Sequence, residues 1–189
     1  MDDIHIGIAA PIDISYLLDF LTLDSDIVIP QGMGGTAPTA ITLELLKRGR
    51  KVSVFSLDPN IETDQVLNGE NLTIYLGKFR KRGRDRTKDG FRAEREFITC
   101  AIREASPDIV NAHWTYEYAL GSLNTNVPVL VTARDAPLRI LKFNISVYWV
   151  IRFLMACIAI HKTTHMTAVS TYIAEHLRKH FFFTKNIQI

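Results

Sequence analysis

The chemically richest stretch of this 189-residue chain is Asn111-Ala-His-Trp-Thr-Tyr-Glu117, where an imidazole, two large aromatic rings, a hydroxyl and a carboxylate crowd together. Amphipathic rings beside hydrogen-bonding groups suit a ligand with an apolar face and many hydroxyls, as a sugar has. Three further stretches carry flexible or polar residues. Pro30-Gln-Gly-Met-Gly-Gly-Thr36 runs straight into a helical pattern. Glycines there let backbone approach a ligand, and a helix N-terminus offers N–H groups to an anion. Thr132-Ala-Arg-Asp-Ala-Pro137 sets Arg134 beside Asp135, which either pair with each other or face a ligand. Val169-Ser-Thr-Tyr172 puts Ser170 where it caps the helix that follows.

What must position these residues is an alternation of short β-branched runs and amphipathic segments. Strand signals fall at residues 4–8, 52–57, 72–76, 109–110, 128–132, 166–169 and 187–189, with a weaker run at 27–29. Helical patterns cover 36–48, with Thr36 as cap and Gly49 just past the end, then 90–105, 116–123, 143–160 and 171–181. Such alternation predicts one α/β domain spanning residues 1–189. It is Rossmann-like and doubly wound, a mostly parallel sheet with helices on both faces. In that build ligands bind beyond the carboxyl ends of the strands, near the point where strand order reverses.

Composition narrows the function classes. With 47% apolar and 22% charged residues the chain is globular, and a net charge of +2 gives no field that steers it to nucleic acid. Its basic residues are concentrated instead: Lys78, Arg80, Lys81, Arg82, Arg84, Arg86 and Lys88 face only Asp85 within eleven positions. That loop is either a solvated charge run or an attraction to an anionic surface, a membrane or a phosphate-bearing acceptor. Cys100 and Cys157 have no partners at metal-ligand spacing and read as reduced, buried thiols of a cytoplasmic protein, and no metal or cofactor is called for. Residues 143–160 approach the length of a membrane span, but Asn144, Ser146 and Arg152 interrupt them. A guanidinium at mid-bilayer is costly, so a buried helix is expected. Read formally, Gly32-x-Gly34-x-x-Ala37 with Asp58 at the end of the next strand also fits a dinucleotide fingerprint.

Four motifs in order carry a family resemblance. Gly34-Gly35-Thr36 opens a helix ending in Leu45-Leu-Lys-Arg-Gly-Arg-Lys-Val-Ser-Val54. Pro107-Asp-Ile-Val-Asn-Ala-His113, Pro128-Val-Leu-Val-Thr-Ala-Arg-Asp135 and Val169-Ser-Thr-Tyr-Ile-Ala-Glu-His-Leu177 follow. Together they resemble the N-terminal, acceptor-side domain of a GT-B glycosyltransferase of family 4. Asn111 and Arg134 stand where many members carry histidine, and the link from residue 11 to 30 is longer than usual. The resemblance implies hexosyl transfer from a nucleotide-sugar to a sugar or lipid-linked acceptor, with retained configuration, in cell-surface glycan or glycolipid synthesis. It implies that Gly34, Gly35 and Thr36 approach donor phosphates or acceptor and that His113 contacts the transferred sugar. Asn111, Trp114, Tyr116, Glu117, Arg134, Asp135 and Ser170 would shape the substrate side. It also implies a second Rossmann-like domain that holds the donor through a Glu-x7-Glu pattern. One domain fills these residues, so the donor half is expected to be missing, through truncation or because a separate chain supplies it. The chain is then expected to be inactive alone, cytoplasmic, and peripheral at the inner face of the membrane. The competing expectations are a dinucleotide-binding domain and a non-catalytic interaction module derived from a truncated transferase.

Overall fold

The computed structural model describes residues 4–22 and 29–189. Most of the 27–29 run therefore lies outside the described residues. The strands are β1 (Ile6–Ala9), β2 (Val52–Asp58), β3 (Gln65–Asn68), β4 (Leu72–Lys78), β5 (Ile109–His113), β6 (Val129–Ala133), β7 (His165–Ala168) and β8 (Ile187–Gln188). They form one sheet in the order β3-β4-β2-β1-β5-β6-β7-β8, parallel except for the β3–β4 pair. Strand order reverses at β1, whose neighbours are β2 on one side and β5 on the other. This is the doubly wound α/β sheet that the alternation predicted.

Helices α1 (Thr36–Lys47), α2 (Gly83–Thr87), α3 (Arg92–Ala105), α4 (Glu117–Ser122), α5 (Pro137–Phe143), α6 (Val147–Lys162) and α7 (Thr171–Phe181) fill the crossovers, with a 3-10 segment at Ile14–Phe20. One face of the sheet packs Ala9, Phe55, Val110, Ala112 and Val131 against α3, α4, α6 and α7. The other packs Ile8, Val54 and Ile74 against Leu46 of α1 and Leu17 of the 3-10 segment. All seven residues of β2 are buried, because that strand has both faces covered. Further along, the second face changes character. Asn111 Nδ2 donates to Thr132 Oγ1 at 2.8 Å, and Thr167 Oγ1 donates to Thr132 Oγ1 at 2.9 Å. These three half-buried residues make a polar ladder across β5, β6 and β7.

Five local expectations are revised, the first being the buried cysteines: Cys100 is exposed and Cys157 half-buried, because each lies toward the outer side of its helix. Gly35, at φ 111°, is the N-cap of α1, and Thr36 is its first helical residue. A Cβ at Gly35 would run into the Pro11 carbonyl oxygen, so the turn needs both the positive φ and the bare backbone. β3 goes unsignalled because a four-residue edge strand buries only Leu67. The 78–88 loop contains α2, and its arginines are not all solvated. Arg80 grips Asp89 at 2.9 Å and the buried Glu94 at 2.6 Å, while Arg86 lies 4.2 Å over the Phe79 ring. The apolar run at 143–160 joins the last residue of α5 to α6 through a break, where Ser146 caps α6 by accepting from Trp149 N. It is buried on one side only, since Phe143, Ile145, Val147, Val150 and Leu154 are exposed.

Arg152 explains why that run is interrupted. Its guanidinium sits 3.1 Å from Glu117 Oε2, with both side chains buried, and stacks 3.9 Å from the Tyr116 ring centroid. Removing one partner of a buried pair strands the other charge, whereas removing both does not. Arg152→Leu should therefore destabilise the domain by about 3–5 kcal/mol, and the Glu117→Leu/Arg152→Leu double variant by clearly less. Urea denaturation of the two variants checks this.

Candidate functional site

The carboxyl ends of β1, β2, β5, β6 and β7 bring the four sequence stretches to one edge of the sheet. The glycine loop lies over the segment that leaves β1, for Gly32 and Gly35 abut the carbonyl oxygens of Ile12 and Pro11. Asp58, at the end of β2, ties the loop down by accepting from Gly32 N at 2.9 Å, and it also accepts from Asn60 N at 2.7 Å. Two backbone amides thus engage its carboxylate, which is buried in fixing the loop and its own turn. The acid of the dinucleotide fingerprint is thereby engaged within the loop that the fingerprint includes. Among the described residues, the 3-10 segment lies between β1 and the loop.

His113 ends β5 opposite Thr132 of β6 and is 1% exposed. Its Nδ1 lies 3.4 Å from Arg134 Nη1, and its Nε2 has no hydrogen-bond partner. A guanidinium only donates, so Nδ1 accepts and the proton of the neutral ring resides on Nε2. Burial, reinforced by the Arg134 charge, pulls the imidazole down to about 4. At neutral pH the ring is uncharged and holds a buried N–H without an acceptor, which costs free energy. The next residue, Trp114, takes the left-handed conformation at φ 66° and leans toward Tyr118 at 6.2 Å between ring centroids. A non-glycine residue in that region marks a turn held by its surroundings, here at the strand end.

Tyr116 and Asp135 form the second half of the edge. The Tyr116 hydroxyl donates to Asp135 Oδ2 at 2.8 Å, while Asp135 Oδ1 is buried without a partner. Burial raises the Asp135 carboxyl above its ordinary range, an effect opposed by the Tyr116 hydrogen bond and the Arg152 charge. Burial and the neighbouring Asp135 push the Tyr116 phenol far up, so it stays a donor. Arg134 and Asp135 thus do not pair with each other; each serves a residue of the β5 loop. Beside Asp135 a hollow of about 430 Å³ is lined also by Ala136, Arg139, Ile140, Tyr172 and Ile173.

The remaining predicted residues are placed differently. Asn111 spends its amide inside the sheet, on Leu130 O at 3.0 Å and Thr132 Oγ1. Glu117 is held by Arg152, beneath Tyr116 rather than in the hollow. Ser170 caps α7, accepting from Ile173 N at 3.3 Å. Gly34 has open space where a side chain would be, and Thr36 is exposed beside it. Sequence reasoning treated Arg152 only as an obstacle to a membrane span. Its signal was present, since an arginine within an apolar run needs a buried carboxylate. Among the described residues no group of three His, Cys, Asp or Glu side chains could hold a metal ion.

A family model described as Glycosyltransferase Family 4 matches residues 35–189, from the glycine loop to the end of β8. Comparison with curated proteins finds no match.

A histidine whose folded value lies below its unfolded one costs stability as the unfolded state gains its proton. His113 should thus contribute a loss of stability as pH falls from about 6.5 toward 4, levelling off below. Side-chain nitrogen NMR should show a neutral, Nε2-protonated His113 at pH 6, with its titration moving up in Arg134→Ala.

Proposed function

The chain belongs to glycosyltransferase family 4, and from that premise we propose that it is the acceptor-side domain of a retaining, nucleotide-sugar-dependent hexosyltransferase of glycan or glycolipid synthesis. The observation that carries this reading is the buried, acceptor-less Nε2–H of His113 at the strand-order switch. A neutral imidazole with a low proton affinity is a poor general acid at pH 7, but it is a good fixed donor. It would donate to a hydroxyl of the transferred sugar, with Trp114 offering an apolar ring alongside. Asp135, oriented by Tyr116, would accept from an acceptor hydroxyl in the hollow through its unpartnered Oδ1. Gly34, Gly35 and Thr36, at the open start of α1, would lie near the donor phosphates. Glu117, Asn111 and Ser170 would hold these groups in place without touching substrate. Transfer requires donor and acceptor in reacting geometry, so a donor-binding domain must complete the site.

We place the enzyme peripherally on the cytoplasmic face of an anionic membrane. No helix among the described residues is long and apolar enough to cross a bilayer. Lys81, Arg82 and Arg84 are exposed and have no carboxylate within 4.0 Å among the described residues. A Cβ at Gly83 would meet the Tyr148 ring at 3.3 Å, so this basic turn abuts α6, whose outer side exposes Val147, Val150 and Leu154. Basic residues next to exposed aliphatic ones suit an interfacial contact.

The 189-residue chain alone should give no turnover with nucleotide-sugars. In the enzyme completed by its donor domain, His113→Ala should lower kcat about a hundredfold or more, the scale of losing one fixed donor. Wild-type rates in that variant would return His113 to a structural role. In liposome sedimentation, attachment to anionic vesicles should weaken between low and high salt, since the Debye length is about 8 Å at physiological strength. It should fall with Lys81, Arg82 and Arg84 all changed to Ser, while equal pelleting with neutral lipid would exclude the electrostatic contribution.

A further inference from the structure

The hollow beside Asp135 continues outward into a second cavity of about 500 Å³ between α5 and α7. Arg139 and Tyr172 line both, so the two form one groove that starts at the sheet edge and runs along the helices. From α5, Arg139 and Lys142 face this groove; from α7, His176, Lys179 and His180 do. Spacings of three and four residues put the α7 groups on one side of that helix. In the outer cavity the single lining carboxylate is Glu175. Arg139, Lys142 and Lys179 have no carboxylate within 4.0 Å among the described residues, Glu175 included. Converging cations repel one another, and among the described residues no salt bridge offsets that here.

One member of the cluster is buried. His176 is 7% exposed, its Nε2 has no hydrogen-bond partner, and its ring lies 4.7 Å from that of His180. Burial, with the charges of His180, Arg139 and Lys142, lowers its proton affinity. Arg139 is already oriented, donating to the Tyr172 hydroxyl at 3.3 Å and lying 5.5 Å from the Phe143 ring centroid. A guanidinium and two ammonium groups around an unpartnered imidazole match the oxygens of a phosphate, which accepts several charge-assisted hydrogen bonds at once.

We propose that the α5–α7 groove binds a phosphate or diphosphate group, held by Arg139, Lys142 and Lys179 with His176 at its floor. Because the groove opens at Asp135, a ligand whose hydroxylated part lies in the inner hollow carries its phosphate outward between the helices. This assignment to the acceptor rests on the function proposed above, whereas the anion site itself does not. The phosphate belongs either to a soluble sugar phosphate or to a lipid headgroup, which share the chemistry read by these side chains.

Isothermal titration of the chain with inorganic pyrophosphate tests it. Saturable one-site binding is expected, weakened about tenfold or more in Arg139→Ser/Lys142→Ser/Lys179→Ser, since three charge-assisted contacts are lost. The Lys81→Ser/Arg82→Ser/Arg84→Ser variant removes as much charge from another surface and should bind as wild type. All six positions are exposed, so both variants should fold, which circular dichroism verifies. Titration with glucose 1-phosphate and with monomeric dihexanoyl phosphatidic acid identifies the source, the tighter ligand naming it. Absence of saturable pyrophosphate binding, or equal weakening in the two triple variants, overturns the site. No turnover is measured, so failure here leaves the transferase reading standing, and failure of that reading leaves these affinities in place.

Discussion

The carboxyl edge of the sheet depends on a charge that never reaches it. Arg152 enters the core from α6 and pairs with Glu117 of α4, and its flat guanidinium supports the Tyr116 ring. Tyr116 in turn holds Asp135 of the β6 loop by its hydroxyl. One buried cation therefore links two helices and two strand ends in a fixed relation. The desolvation of these groups is offset only while every member is present, so the cluster has one low-energy arrangement. That rigidity suits a site whose polar groups must be oriented before the ligand arrives.

The fold was legible in the sequence to the extent that burial makes patterns regular. β2 reads as a continuous apolar and small-residue run because both its faces are covered, and α7 begins and ends where its cap and spacing say. β3 was illegible because an edge strand that buries one residue has no pattern to show. The helical run from 143 misled for a related reason: apolar residues exposed on α6 and on the turn before it look in sequence like apolar residues in a core. Asn144 and Ser146 marked the break, and short polar residues are ambiguous markers inside an apolar stretch.

The candidate site was legible as residues but not as relations. The stretch from 111 to 117 announced polar chemistry at a strand end, and His113, Tyr116 and Asp135 do meet the same edge. Which of its groups remain available could not be read, because that depends on partners far away in sequence. Asn111 is consumed by β6, Glu117 by a residue thirty-five positions on, and Asp58 by the glycine loop. The basic run shows the same effect. Arg80 and Arg86 are internal fittings of the fold, and only their neighbours carry charge to the surface. Charge counted along a chain overstates the charge that a partner meets.

The polar ladder across β5, β6 and β7 has a consequence for how the chain finds this structure. Asn111, Thr132 and Thr167 are separated by 21 and 35 positions, so their strands meet late and by long loop closures. A slip of one residue in β6 would turn Thr132 toward the apolar face of Ala112 and leave the Asn111 amide without its hydroxyl partner. Aliphatic strands accept several alignments at similar energy, but a hydroxyl shared by an amide and a second hydroxyl accepts one. The ladder acts as a key for strand alignment, and it sets the position of β5 and β6, from whose ends His113 and Asp135 project.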